Sequence, residues 1–277
     1  MTTLSTDNRI EALFRRTREE NRAALILYLT SGFPNEETTR RLLPVLAEAG
    51  CDLIELGVPF SDPIADGPTI QKASSVALDN GMTLSKTLEI AREFRAAHET
   101  PLILFGALNP FLKRGLEASA RAAREAGADG FLAADLPAEE ADEFAEICER
   151  ENLKLVLLAA PTSPDGRLRA IAAKSTGFLY CISSRGITGA RDTMGPNVTE
   201  YLGRVRAQIE ATGKPLPLAV GFGISKPEHA ALMAPHCEAV VVGSALINLI
   251  QECANRGEDP AEPVRAFVRA MADATRR

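Results

Sequence analysis

Short apolar runs of strand length alternate with amphipathic stretches along the whole chain, and no Pro-, Ser- or Gly-rich linker interrupts them. Strands are predicted near Ala24–Leu29, Asp52–Leu56, Leu102–Phe105, Gly130–Ala134, Leu155–Ala159, Phe178–Ile182, Leu218–Val220 and Ala239–Val242, each followed by a helical segment. A repeated βα unit of this kind specifies a parallel sheet covered by helices. Two segments reinforce the count: "EAGCDLIELGVP" and "EAGADGFLAADLP" begin at Glu48 and Glu125, 77 residues apart, and each reads as a helix end, a Gly able to take positive φ, then a strand. As second and fourth strands they imply about 38 residues per unit, the size expected of a (β/α)8 barrel. The chain of 277 residues then forms one barrel domain over 1–277. A doubly wound sheet is the rival, but the first strand runs into "TSGFPNEE", which lacks the glycine fingerprint of a dinucleotide fold. "IEALFRRTREE" reads as an extra helix across the barrel bottom, and "PAEPVRAFVRAMADATRR" as an extended final helix.

Composition excludes several classes. With 31 Lys and Arg against 37 Asp and Glu the net charge is −6, and no basic stripe offers a footprint for nucleic acid. The longest apolar stretch, Ala23 to Leu29, is far short of the ~20 residues of a spanning helix. The N-terminal "MTTLSTDNRIEALFRR" has no apolar core of a secretion signal, so neither membrane nor secretion is indicated and a cytoplasmic location is expected. Cys51, Cys148, Cys181, Cys237 and Cys253 are odd in number and never spaced as C-x-x-C, which argues for reduced thiols and against a zinc site. His98, His229 and His236 fall in helices or helix ends, so carboxylates are the first candidates for chemistry.

A barrel places its chemistry on the loops that follow the strand C-termini. Among these, "DLIELGVPFSDPIADGPTIQKA" is long and stiffened by prolines, and it holds Asp62 and Asp66. Strand alternation sets Leu53 and Glu55 on one face and Ile54 and Leu56 on the other, so Glu55 points into the barrel. A carboxyl buried there either pairs with a Lys or Arg as a structural acid, or carries a raised pKa suited to donating a proton near neutrality. Asp66, in "ADGP", is open to two readings, turn cap or catalytic group. "GFG" (Gly221, Phe222, Gly223) after the seventh strand and "GSA" (Gly243, Ser244, Ala245) after the eighth allow backbone N–H groups to approach an anion, which points to a phosphorylated small-molecule substrate. "SSRGITGARDTMGP", Ser183 to Pro196, is long for a βα loop; it reads equally as a lid or a disordered insertion, with Arg185 and Arg191 able to attract an anion.

Taken in order, "ELGVPFSDPIADGPTIQ", "SSRGITGAR", "VGFGIS" and "VVGSA" resemble the tryptophan synthase alpha chain family, over roughly Tyr28 to Ile250. The resemblance implies a lyase that cleaves indole-3-glycerol phosphate to indole and glyceraldehyde 3-phosphate, with no metal and no cofactor in this chain. It implies Glu55 as the acid that protonates indole C3 and Asp66 as the anion beside the indole nitrogen. Phosphate contacts map onto Gly189, Gly223, Gly243 and Ser244; Tyr28, Leu132, Tyr180 and Phe222 map onto the indole pocket, and Thr188 onto a lid threonine. Pro59 and Asp62 fall where the family faces its beta chain, whose pyridoxal phosphate receives the indole within an αββα heterotetramer.

The sequence departs from the family at "ALNP", where Ala107 stands at a common tyrosine and leaves that wall wider or filled by Phe105, and at "SGFP" and "SSRG". Two other readings remain at this level: a free-standing indole-producing lyase, and a non-catalytic regulatory barrel that would be expected to have lost a carboxylate or a phosphate glycine. Related phosphate-binding barrels that rely on strand-end lysines fit less well, since Lys72 and Lys113 fall in helical or post-loop segments.

Overall fold

The computed structural model describes residues 8–182, 196–221 and 223–277. Nine parallel strands are present among them: β1 (Ala24–Thr30), β2 (Leu53–Gly57), β3 (Leu102–Gly106), β4 (Gly130–Ala133), β5 (Lys154–Val156), β6 (Leu158–Ala159), β7 (Leu179–Ile182), β8 (Leu218–Gly221) and β9 (Ala239–Val242). Their order around the sheet is β5-β4-β3-β2-β1-β9-β8-β7-β6. The two ends are consecutive in the chain: β5 and β6 are the halves of the fifth predicted strand, interrupted at Leu157, and the sheet is a barrel of eight strand positions. The predicted α/β barrel is therefore the observed one, with the fifth strand in two pieces as the difference.

Continuous burial of β1, β2, β3 and β4 fits a parallel sheet covered on both faces. Glycines Gly50 (φ 112°) and Gly127 (φ 77°) end the helices before β2 and β4 in the positive-φ region, as the repeated segments require.

At the bottom of the barrel one arrangement recurs four times. Asp52, Asp129, Thr176 and Glu238 each precede an even-numbered strand position, and each donates its backbone N–H to a leucine carbonyl in the strand before it: Leu25, Leu102, Leu155 and Leu218, at 2.7–2.9 Å. Each side chain then accepts the N–H of the same leucine, at 2.9, 2.9, 2.7 and 2.9 Å. The acidic three are held in turn by arginines: Arg16 and Arg22 on Asp52, Arg9 and Arg95 on Asp129, Arg206 on Glu238. Arg9 and Arg16 both belong to the first helix, Arg9–Glu19, which spans the bottom as expected and buries Ile10, Leu13 and Phe14. The last helix, Ala261–Asp273, packs on the helix Glu36–Ala49, and Arg265 reaches Glu48 at 3.2 Å.

Buried charge is tolerated here because every polar atom meets a donor, and removing one partner leaves an uncompensated ion. Asp52→Ala is expected to destabilise the protein by about 3–5 kcal/mol in urea unfolding. Glu117→Ala, which breaks an exposed pair with Arg150, should change stability by less than about 1 kcal/mol in the same assay.

Candidate active site

Glu55 stands on β2 opposite Tyr28 of β1 and Ile103 of β3. Register partners share a face of the sheet, and a side chain at Gly57, two residues beyond Glu55, would overlap the Tyr28 hydroxyl. Glu55 and Tyr28 therefore share the barrel interior. The Glu55 side chain is 1% exposed, its Oε1 has no hydrogen-bond partner, and no ion pair among the described residues includes it. Burial alone raises its pKa to about 8. Of the two readings left by the sequence, the ion-paired structural acid is not the one these residues adopt.

Asp66 lies on the loop between β2 and the helix Pro68–Asp79. The loop is shaped by its own backbone: Ile64 N–H donates to the Asp62 carbonyl at 2.9 Å, and Asp66 N–H to that of Pro63 at 3.0 Å. Gln71 Nε2 donates to the Asp66 carbonyl at 2.8 Å. Gly67, not Asp66, precedes the helix, and Pro68 occupies the first turn where no N–H is needed. The carboxyl of Asp66 is thus not consumed as a cap. It is half-buried, and burial followed by the nearby charge of Asp135 raises its pKa to about 6.

Two tyrosines complete this chamber. Tyr28, almost fully buried, accepts a hydrogen bond from Thr30 Oγ1 at 3.1 Å, and Tyr180 on β7 has its hydroxyl over Gly221, where a side chain would collide with it. Burial first, then the charges of Asp66 and Glu55, push both phenols above their ordinary range, which places all four groups in one electrostatic environment. The Phe105 ring lies edge-on to Tyr28 at 5.0 Å. Leu132 is the register partner of Phe105 and fully buried.

The ends of β8 and β9 supply backbone donors. Gly243 is the N-terminal cap of the helix Ser244–Arg256 and brings no side chain to it, Ser244 is exposed, and the first N–H groups of that helix have no partner within it. Gly223 has φ 66°, a conformation that a larger residue adopts only with strain. A Cβ on Gly243 would stand 3.5 Å from that of Tyr28, so Tyr28 separates the helix N-terminus from Glu55. Gly189, Thr188 and Phe222, with Arg185 and Arg191, lie outside the described residues.

On the rim, Asp62 is exposed and accepts from Ser61 Oγ at 2.6 Å, whereas Pro59 is buried. Sequence reasoning passed over the two large apolar side chains exposed nearby, Ile64 (85%) and Leu112 (50%). Ile64 was legible as an isolated aliphatic residue inside a polar loop. Leu112 sits on the helix Leu108–Arg114, too short for periodicity to mark its outer face. A cavity of about 420 Å³ is walled by Phe60, Leu84, Asn109, Pro110 and Lys113. Among the described residues no three His, Cys, Asp or Glu side chains gather so as to hold a metal ion, and no helix is long and apolar enough to cross a membrane.

Comparison with known proteins adds a family to this geometry. Residues 14–276 match the model of the tryptophan synthase alpha chain family. Relatives described as tryptophan synthase alpha chains include one from Solibacter usitatus, 49% identical over 88% of this chain and 90% of its own length. Another, from Chloroflexus aggregans, is 43% identical over 98% and 99%. Among solved structures, the alpha subunit from Legionella pneumophila superposes with a TM-score of 0.89 at 37% identity, covering 97% of this chain and 98% of that one. Tryptophan synthase from Mycobacterium tuberculosis superposes with a TM-score of 0.86 at 33% identity, covering 98% and 99%. Matched by that family model over residues 14–276 and by relatives 43–49% identical along nearly its whole length, this chain belongs to the tryptophan synthase alpha chain family.

Proposed function

We propose that this chain is a lyase that cleaves indole-3-glycerol phosphate into indole and glyceraldehyde 3-phosphate, with Glu55 and Asp66 as its catalytic residues. The single observation that carries the reading is the buried Glu55 carboxyl, whose Oε1 has no hydrogen-bond partner, with Asp66 on the loop that follows the same strand. With a pKa of about 8, Glu55 is mostly protonated at pH 7, and with a pKa of about 6, Asp66 is mostly ionised. An acid and an anion within one chamber are what the reaction needs.

The bond between indole C3 and the glycerol side chain cannot break while C3 is trigonal. Glu55 gives its proton to C3, which becomes tetrahedral and leaves positive charge on the ring nitrogen. Asp66, beside that nitrogen, accepts its N–H and offsets the charge. The glycerol hydroxyl next to C3 then gives its proton to Glu55, its oxygen forms the aldehyde, and the C–C electron pair returns to the ring to release indole. The unpartnered Glu55 Oε1 suits this shuttle, because no fixed donor must be displaced when the proton returns.

The substrate phosphate is assigned to Gly223, Gly243 and Ser244, and to Gly189 by family likeness; helix dipole and N–H groups both favour an anion there. Tyr28, Leu132, Tyr180 and Phe222 are assigned to the indole pocket, and Thr188 to the lid. By family likeness, pyridoxal phosphate is assigned to a beta chain and no cofactor to this one. That partner, in an αββα complex, is inferred to dock on the rim beside Asp62, with Ile64 and Leu112 as apolar anchors; Pro59 would support the loop from beneath. A cytoplasmic setting fits this biosynthetic role.

The test is release of indole from indole-3-glycerol phosphate: Glu55→Gln should lower kcat by about 10²–10⁴-fold with the fold intact, and Asp66→Asn should do likewise. A Glu55→Gln variant that keeps most of its rate would overturn the assignment. The same glutamate has a signature in stability. Between about pH 4.5 and 8 the folded state holds a proton that the unfolded chain has released, so burial of Glu55 costs stability progressively as pH rises. In urea unfolding, Glu55→Gln should therefore gain on the wild type across this range and level off above it.

A further inference from the structure

The ring of Tyr28 lines the chamber, and the hydroxyl at its end is a hydrogen-bonding group used on one side only. A phenol accepts one hydrogen bond and donates another. Tyr28 is buried and accepts from Thr30 Oγ1 at 3.1 Å, and Thr30 is itself fully buried with no other side-chain partner among the described residues. The phenol proton meets no acceptor among those residues. Because Thr30 occupies the accepting side, that proton is turned away from Thr30 and into the chamber. A buried donor without an acceptor destabilises a fold, and it is retained where a bound molecule completes it.

The backbone fixes where this donor stands. Leu27 pairs with Val242 of β9, so Tyr28 comes level with Gly243, and a Cβ on Gly243 would lie 3.5 Å from that of Tyr28. From there the side chain crosses toward β2, where its hydroxyl lies over Gly57 and a side chain would collide with it. Gly57 is two residues beyond Glu55, and Thr30 is its register partner, so Glu55, Gly57, Tyr28 and Thr30 share one face. The hydroxyl is therefore beside the strand that presents Glu55, one pleat nearer the barrel mouth.

On the reaction proposed above, Glu55 faces indole C3 and the phosphate lies at the N-terminus of the helix Ser244–Arg256, so the three-carbon chain between them runs across Tyr28. From this geometry we propose that Tyr28 is a specificity-determining residue for the hydroxylated chain: its O–H, aimed by Thr30, donates to the oxygen on the carbon next to indole C3. The assignment rests on that reaction. Tyr28 keeps its proton throughout, since burial first and then the charges of Asp66 and Glu55 hold the phenol above its ordinary range. The proton of the chain hydroxyl still goes to Glu55. With one lone pair of its oxygen engaged by Tyr28, that hydroxyl presents its own hydrogen away from Tyr28, toward the carboxyl that takes it.

Tyr28→Phe keeps the ring and removes only the oxygen. Two probes need no turnover: sn-glycerol 3-phosphate, which has the chain hydroxyls, and n-propyl phosphate, which lacks them, each titrated into the full chain by NMR. The wild type should prefer glycerol 3-phosphate. Tyr28→Phe should weaken it by about three- to tenfold and leave propyl phosphate within about twofold, with kcat/KM for indole release falling by at least the larger factor. Thr30→Val should give a smaller loss of the same kind, and no further loss in the Tyr28→Phe background. A wild type without preference between the probes overturns the proposal, as does a Tyr28→Phe variant that binds glycerol 3-phosphate as the wild type does. Equal losses on both probes overturn it too, because they mark a packing role. A wild type that showed the preference through Tyr28 but released no indole would count against the assigned reaction and leave the recognition of a hydroxylated chain standing.

Discussion

Closing parallel strands into a barrel requires that the start of each strand be held against its neighbour, and in this chain the holding is done by the four reciprocal clasps at the bottom. Each pairs a leucine N–H and carbonyl with one residue in front of the next strand, so the stagger of the strands is set where they begin. Arginines from the first helix, from the segment before β1 and from the covering helices complete the acidic clasps. Everything at the opposite end, including the height at which Glu55 meets Tyr28, follows from that stagger.

The two ends of the barrel treat charge in opposite ways. At the bottom, Asp52 and Asp129 are as buried as any core residue, and each is met by two arginines and a backbone N–H. Near the top, Glu55 is equally buried and Asp66 partly so, and no ion pair among the described residues includes either. In one arrangement each buried charge has partners; in the other the burial of a carboxyl without a partner costs stability when it ionises.

Much of this was legible in the sequence. The βα repeat gave the barrel, and strand alternation put Glu55 on the face opposite Ile54 and Leu56, although burial of both faces leaves the choice of interior to the tertiary structure. The break at Leu157 was not legible, because "LVLLA", Leu155 to Ala159, is apolar without interruption and periodicity has nothing to register. The clasps were half visible: Asp52 and Asp129 occupy the same place in the two repeated segments, but Thr176 and Glu238 share neither residue type nor flanking pattern with them, and their partners lie 20–27 residues away. The unpaired state of Glu55 was undecidable from composition, because it depends on which of many arginines reach the interior.

Tyr28 stands on the strand between the acid and the turn assigned to phosphate. Its hydroxyl fits only because Gly57 has no side chain, and its Cβ lies 3.5 Å from where one on Gly243 would be. The ring is wedged between two stretches of backbone, with Phe105 at its edge, and backbone yields far less than a neighbouring rotamer would. Its width thus becomes a gauge block between Glu55 and the N-terminus of the helix Ser244–Arg256. On the function proposed above, the distance a ligand must span from its flat ring to its charged end would be set by a residue that takes no share in bond breaking.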